Sequence, residues 1–273
     1  MRNFELRSNV GGGLGAPDAE AQKPVNLGLE GRTAIVCGAS SGMGLAIAEA
    51  LVGEGANVAM FARRRDVLER EAERLGALPV RGDLTVPADL EKLVERTVKA
   101  FGGVDVLVNN GGGPPPGPAG GVDAAAVESA VELLLLPVVR LTNLCLPHLE
   151  RSGRGRIVSI ESSSVREPID GLALSNAVRP GVVGWLKTLA REVGPQGITV
   201  NTIAPGQIDT DRLAQLYAHG GDAREQAEAR IPLRRFGTAD EIARVVCFLA
   251  SDQASYVTGA VIPVDGGLTR SLL

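Results

Sequence analysis

The sequence predicts a single doubly wound α/β domain: one parallel sheet of about seven strands with helices on both faces. Short apolar, β-branched runs alternate with stretches of helical apolar period along the whole chain, and no internal repeat is visible. The marked loops all follow strands, at 38–44, 63–65, 83–84, 109–113, 161–164 and 205–210. Ligands on such sheets bind beyond the carboxyl ends of the strands.

The first strand, Thr33–Cys37, is short and apolar, as a strand buried on both faces should be. Gly38-Ala-Ser-Ser-Gly42-Met-Gly44 breaks it, and from Leu45 the apolar residues fall at 45, 47, 48, 51 and 52, the period of a helix. A Gly-rich turn between strand and helix aims backbone N–H groups and a positive helix end at one spot, which suits a phosphate. Its spacing is GxxxGxG: Gly38 turns the chain, Gly42 lets an anion approach the backbone and Gly44 lets helix and strand pack closely. A second strand, 58–62, leads into Arg63-Arg64-Arg65 and a charged helix over 66–75. A third, 77–80, ends at Gly82-Asp83-Leu84, before an amphipathic helix over Pro87–Phe101 that opens on proline. A fourth, 104–108, ends in Asn109-Asn-Gly111-Gly-Gly113, and a Pro-rich loop follows at 114–118. A long helix is expected over 123–149, kinked at Pro137. The strand Arg156–Ile160 precedes Glu161-Ser162-Ser-Ser164, and an apolar helix is expected over 180–193. A sixth strand, 199–203, ends at Ala204-Pro205-Gly206, and the polar, interrupted stretch 207–237 reads as a substrate lid. A helix over 238–251 carries a capping box, Thr238 with Glu241, and a last strand spans 260–264.

Composition narrows the function. With 273 residues, 44% of them hydrophobic, the chain can bury a large core. A net charge of −4 without a long basic run argues against nucleic acid as a partner. No apolar run reaches membrane-spanning length; the longest, 133–139, contains Pro137. Neither a secretory signal nor a membrane anchor is expected. Cys37, Cys145 and Cys247 lie far apart, and the only histidines are His148 and His219, so neither a disulfide framework nor a metal site is expected. The expectation is a reduced, cytoplasmic protein with a small-molecule substrate. Residues 1–28 are polar and Gly-rich and read as a flexible N-terminal arm, with 29–273 as the domain.

Several motifs in order carry a resemblance. Cys37-Gly38-Ala-Ser40-Ser41-Gly42-Met43-Gly44, Asn109-Asn-Gly111-Gly, Pro205-Gly206-Gln-Ile208-Asp-Thr210 and Asp265-Gly-Gly267 resemble the TGxxxGxG, NNAG, PG-x3-T and C-terminal marks of the short-chain dehydrogenase/reductase family, over nearly all of residues 30–267. The resemblance implies a Rossmann-type sheet and a nicotinamide dinucleotide. It places Ser40, Ser41 and Met43 at the phosphates and ribose, Asp83 and Leu84 at the adenine, Asn109 and Gly111 along the cleft, and Pro205, Gly206, Ile208 and Thr210 at the nicotinamide end. An acidic residue after strand two usually holds a free ribose 2′-hydroxyl. Here Arg63 and Arg64 occupy that spot, and guanidinium forks match a 2′-phosphate, so NADP(H) is favoured over NAD(H).

The family's catalytic set is a Ser, a Tyr thirteen residues on, a Lys four further and an Asn on the preceding long helix. At those positions stand Ser162, Ser175, Arg179 and Leu134. A Ser hydroxyl is a far weaker acid than a phenol. Arg179 can hold the nicotinamide ribose and supply charge, but it cannot relay a proton. Pro180 disfavours helical geometry at Arg179, so the helix is expected to begin at Pro180, leaving Ser175 and Arg179 without a shared face. Glu161 reads equally as a general acid or base and as an ion-pair partner of an arginine such as Arg166. Tyr217, in the lid, reads as packing there or as a replacement acid; Tyr256 reads as packing, His148 as surface, and His219 as a weak acid–base candidate. Two functions follow: an NADP(H)-dependent oxidoreductase with an atypical proton donor, or a catalytically silent cofactor-binding or scaffolding homologue. Family members commonly form tetramers as dimers of dimers, which the apolar face of Trp185 and Leu189 would suit, though ordinary core packing explains that face equally well.

Overall fold

The computed structural model describes residues 26–210, 213 and 222–272. Seven strands form one sheet: β1 (Thr33–Cys37), β2 (Asn57–Ala62), β3 (Leu78–Arg81), β4 (Val106–Asn110), β5 (Arg156–Ile160), β6 (Thr199–Pro205) and β7 (Val261–Val264). Their order is β3-β2-β1-β4-β5-β6-β7, and every neighbouring pair is parallel. The α-helices that lie wholly within the described residues are α1 (Gly42–Gly53), α2 (Arg65–Leu75), α3 (Pro87–Phe101), α4 (Ala124–Leu134), α5 (Leu136–Ser152), α6 (Ala173–Val193), α7 (Ala223–Arg230) and α8 (Ala239–Ala250).

Side-chain alternation along each strand feeds two cores. Ala34 and Val36 of β1 face Ile47 and Leu51 of α1 and Ile242 and Val246 of α8. Ile35 and Cys37 face Leu90 of α3, Leu141 of α5 and Leu186 of α6. A strand buried on both faces must be apolar throughout, which is why β1 shows no polar alternation. The chain winds outward from β1 to β3, then crosses back to place β4 on the other side of β1. That reversal opens a crevice at the carboxyl ends of β1 and β4, the place where ligands sit in such sheets.

Two helix expectations are corrected. The expected 123–149 helix is two helices, α4 and α5, broken at Leu135. Pro137, in the first turn of α5, has no N–H to give the carbonyl one turn back, so the break falls just before it. The expected start at Pro180 is also wrong: α6 begins at Ala173 and carries Pro180 inside it. Pro180 costs one backbone bond, but the turns before it are anchored by other contacts. The Asn176 side chain brackets Ile169, accepting from its N–H at 3.1 Å and donating to its carbonyl at 2.9 Å. Ser175, Val178 and Arg179 are buried on the inner face. Ser175 and Arg179, four residues apart, therefore share a helical face after all.

The capping box is present: Thr238 Oγ1 accepts from the Glu241 N–H, and the Glu241 carboxylate accepts from the Thr238 N–H at 2.8 Å. Tyr256 does not pack inside: its side chain is fully exposed, while Ala254 and Val257 on either side of it take the core contacts. His148 is half-buried, with the Arg151 guanidinium 2.7 Å from its Nδ1. Of the expected arm, residues 1–25 lie outside the described residues. Asn26 and Leu27 are tied to the end of α8: the Leu27 carbonyl accepts from the Asp252 N–H and that of Asn26 from Gln253 Nε2. Tyr217 and His219 of the lid also lie outside the described residues.

Candidate active site

The Gly-rich turn sits where β1 hands over to α1. Gly38 has φ +63° and Gly42 φ +55°, backbone that favours glycine. Gly44 packs against strand backbone, since a Cβ there would lie 2.2 Å from the Gly38 carbonyl oxygen. Asn110 Nδ2 donates to the Cys37 carbonyl at 3.1 Å and so ties β4 to β1 beside the turn. Ser41 caps α1, yet its side chain makes no capping bond, and the first turn of α1 carries no acidic residue. The helix start thus offers N–H groups with no carboxylate competing for them, which fits an anionic group. Thr210 closes the opposite side: its methyl lies 3.4 Å from where a Gly42 Cβ would stand. Between them Gly206 donates its N–H to the Val264 carbonyl, and Ile208 is buried. Met43, by contrast, packs against the core beneath.

At the end of β2, Arg64 reaches back over the turn. Its Nη2 donates to Ser41 Oγ at 2.7 Å and lies 3.4 Å from Ser40 Oγ. Arg63 points away, with its side chain 77% exposed and 3.9 Å from Asp83. Bonds from Thr85 N–H and Oγ1 hold the Asp83 carboxyl below the usual carboxylate range, so Asp83 is anionic and shapes its own loop. A groove beyond Arg63 carries Arg65, Arg81, Lys92 and Arg96 along with Glu69 and Asp89.

The other end of the crevice is a narrow cleft with a cavity of about 20 Å3, open at its mouth. Leu84, Asn109, Asn110, Gly111 and Gly112 form one wall, and Leu133, Leu134, Pro137 and Val138, at the α4–α5 break, form the other. Arg179 and Glu161 close the floor. Arg179 Nη1 donates to Glu161 Oε2 at 2.9 Å and Nη2 to the Gly112 carbonyl at 3.1 Å. Ser159 Oγ donates to Glu161 Oε1 at 2.7 Å. The pair is deeply buried, its side chains 10% and 3% exposed. Burial pushes the Glu161 carboxyl up from its ordinary value, against the pull of the Arg179 guanidinium and the Ser159 hydroxyl.

The sequence-predicted catalytic residues are thus placed unevenly. Arg179 lines the cleft. Ser162 Oγ accepts the Ser164 N–H at 3.1 Å and caps a short turn. Ser175 is buried, its Oγ 3.2 Å from Ser164 Oγ. Ser164 therefore stands between the two, a residue the motif reading did not single out. Glu161 pairs with Arg179, not Arg166, which donates instead to the Val261 carbonyl. The anchoring roles of Gly112 and Ser159 were also not foreseen. Asn109 Nδ2 donates to Thr142 Oγ1 at 3.3 Å, which fixes the amide in the cleft wall.

Known proteins resemble this chain in sequence and in fold. A family model described as Enoyl-(Acyl carrier protein) reductase matches residues 38–269. The 3-oxoacyl-(acyl-carrier-protein) reductase FabG of Escherichia coli is 37% identical over 244 residues, covering 89% of this chain and 99% of that protein. Cyclohexanol dehydrogenase of Rhodococcus sp. is 35% identical over 269 residues, covering 90% and 99%. Among solved structures, L-sorbose reductase from Gluconobacter frateurii, complexed with NADPH and L-sorbose, superposes with a TM-score of 0.86 at 32% identity, covering 91% of this chain and 100% of that one. YwfH, an NADPH-dependent reductase involved in bacilysin biosynthesis, superposes at 0.85 with 28% identity, covering 88% and 99%. Matched over most of its length by family model, by sequence and by fold, the chain belongs to the short-chain dehydrogenase/reductase family.

Proposed function

We propose that this protein is an NADP(H)-dependent oxidoreductase that reduces a carbonyl or related group with an atypical proton donor. The observation that carries the reading is Arg64 lying across the Gly-rich turn on Ser41, a guanidinium fork held where a 2′-phosphate would meet it. The NADPH-bound sorbose reductase and the NADPH-dependent YwfH support the same cofactor. The N–H groups at the start of α1 would take the pyrophosphate, Asp83 and Leu84 the adenine, and Arg179 the nicotinamide-side ribose. The dinucleotide supplies hydride when bound.

The chain's own residues do the orienting. Asn109, Gly111 and Leu84 wall the cleft, and the leucines at the α4–α5 break exclude water from it. Arg179 stays charged and cannot pass on a proton. Ser175 can hold a substrate oxygen through its hydroxyl but is too weak an acid to protonate it, so the family's Tyr, Lys and Asn roles are not reproduced by Ser175, Arg179 and Leu134. Water or a substrate group would complete the proton transfer, with Ser164 linking Ser162 to Ser175. In this reading residues 207–237 serve as the substrate lid and the protein is a cytoplasmic homo-oligomer; Trp185 and Leu189 do not supply its interface, since Leu189 is buried in the chain's own core and Trp185 packs against it. Among the described residues, no helix is long and apolar enough to cross a membrane. Steady-state oxidation of NADPH across a panel of ketones, quinones and activated alkenes tests the reading; tight cofactor binding without turnover of any of them counts against it.

The Glu161–Arg179 ion pair favours a second reading, a silent dinucleotide-binding homologue, because it neutralises the cation that would assist an acid. The double variant S175Y/R179K separates the two. A gain of turnover over an inactive wild type supports the silent reading, and a wild type already as fast as the variant removes it.

A further inference from the structure

We propose that Glu161 sets the charge balance at the nicotinamide end of the cleft and, through it, the preference of the protein for oxidised or reduced dinucleotide. The inference rests on the reading that the dinucleotide lies in this cleft, with its nicotinamide side toward Arg179. Among the described residues lining the cleft, Glu161 is the only carboxylate and Arg179 the only guanidinium. They pair at 2.9 Å in the cleft floor, almost out of reach of solvent. A charge at such a depth is weakly screened and acts over several ångströms.

Of the groups facing Glu161, Arg179 alone carries a charge. From β5 comes the Ser159 hydroxyl, from α6 the Arg179 guanidinium and, through that guanidinium, the Gly112 carbonyl after β4. From β1 comes Cys37, whose thiol burial pushes up to about 12 and therefore keeps neutral. With Glu161 ionised the floor carries no net charge. With Glu161 neutral it carries the single positive charge of Arg179.

The two dinucleotides differ in just this respect. The oxidised nicotinamide ring is a cation and the reduced ring is neutral, while the phosphates and riboses are the same. An unpaired Arg179 would repel the oxidised ring and leave the reduced one unaffected. The carboxylate at Glu161 removes that repulsion. A family lysine alone at the position of Arg179 would keep it.

The test is the ratio of the two dissociation constants, Kd for NADP+ over Kd for NADPH, measured by calorimetry on wild type and E161Q at pH 8. E161Q is expected to raise the ratio about tenfold, the effect of one unscreened charge at several ångströms and intermediate dielectric. In wild type the ratio should climb as the pH is lowered through the raised titration of Glu161, and in E161Q it should stay flat. The 2′-phosphate titrates alike in both ligands and cancels. The double variant E161Q/R179Q, with both charges gone, should return the ratio to the wild-type value. A purely structural role for Glu161 would move both constants together and leave the ratio where it was, which overturns the inference. If E161Q does not fold, the wild-type pH series and the double variant decide, and a pH-independent wild-type ratio overturns it equally. Failure of the underlying reading looks different: neither dinucleotide would bind wild type at all.

Discussion

Truncating Arg64 should convert an NADPH-preferring site into one that no longer distinguishes the two reduced dinucleotides. The guanidinium is already in position, its Nη2 donating to Ser41 Oγ at 2.7 Å above the Gly-rich turn. Its hydrogen bonds to a phosphate would be charge-assisted and about twice as strong as neutral ones. A hydrogen bond to a charged group is worth about 1.5–3 kcal/mol, which predicts a loss of about tenfold to a hundredfold in NADPH affinity for R64A. NADH has no 2′-phosphate, so its affinity should change less than about twofold. Arg63 is 77% exposed and its charge is largely screened, so R63A should cost only about threefold. R64K keeps the charge but loses the fork and should fall between wild type and R64A. The Arg64–Ser41 bond lies at the surface, so folding stability should stay within about 0.5 kcal/mol of wild type. The assay is energy transfer from Trp185 to the bound dihydronicotinamide, titrated with NADPH and NADH at two salt concentrations. Equal losses for NADPH and NADH in R64A, or no loss in either, would refute the assignment of Arg64 to the 2′-phosphate.

Three further perturbations probe the scaffold. G44A forces a Cβ to within 2.2 Å of the Gly38 oxygen and 2.6 Å of its carbon, both backbone atoms that cannot swing aside. It should lower stability by about 3 kcal/mol, read as an earlier urea midpoint, and abolish dinucleotide binding; a wild-type midpoint would contradict the packing argument. The Arg235 guanidinium and the Thr238 N–H hold the Glu241 carboxyl down at about 2. A depressed folded-state value gives stability that is full above the ordinary Glu range and drains away as pH falls toward 2. Because that side chain is 34% exposed, screening reduces the contribution to about 1 kcal/mol. E241Q should therefore lose about that much at pH 7 and show a shallower fall in Tm between pH 5 and 3, whereas parallel acid profiles would count against the box. Burial pushes the thiols of Cys37 and Cys247 up to about 12 and raises that of Cys145 as well. All three should resist iodoacetamide in native protein at pH 8 and react once it is unfolded; rapid native labelling of Cys37 would show that the floor of the crevice opens.

Local signals in the sequence outlined this fold well and its site only in part, for a physical reason that particular residues show. Thr33–Cys37, the glycines after it and the Thr238–Glu241 box each act within a few residues of themselves, and each is where it was expected. Strand ends moved by a residue or two, as with β4, which runs to Asn110 because its last residues pair with Ser159 and Ile160. Prolines were harder to read because a proline states what it removes, not what replaces it. Pro137 breaks a helix and Pro180 does not, and the difference lies in the Asn176 bracket on Ile169 and the buried face of Ser175 and Arg179. That same face explains the misread partner of Glu161. Arg166 is closer in sequence, but only an α6 that continues through Pro180 toward its start brings Arg179 over the end of β5, where Glu161 waits. The ion pair is thus a consequence of the tolerated proline: had the helix begun at Pro180, Arg179 would have left Glu161 buried and unpaired, and a buried unpaired carboxylate is the costlier outcome.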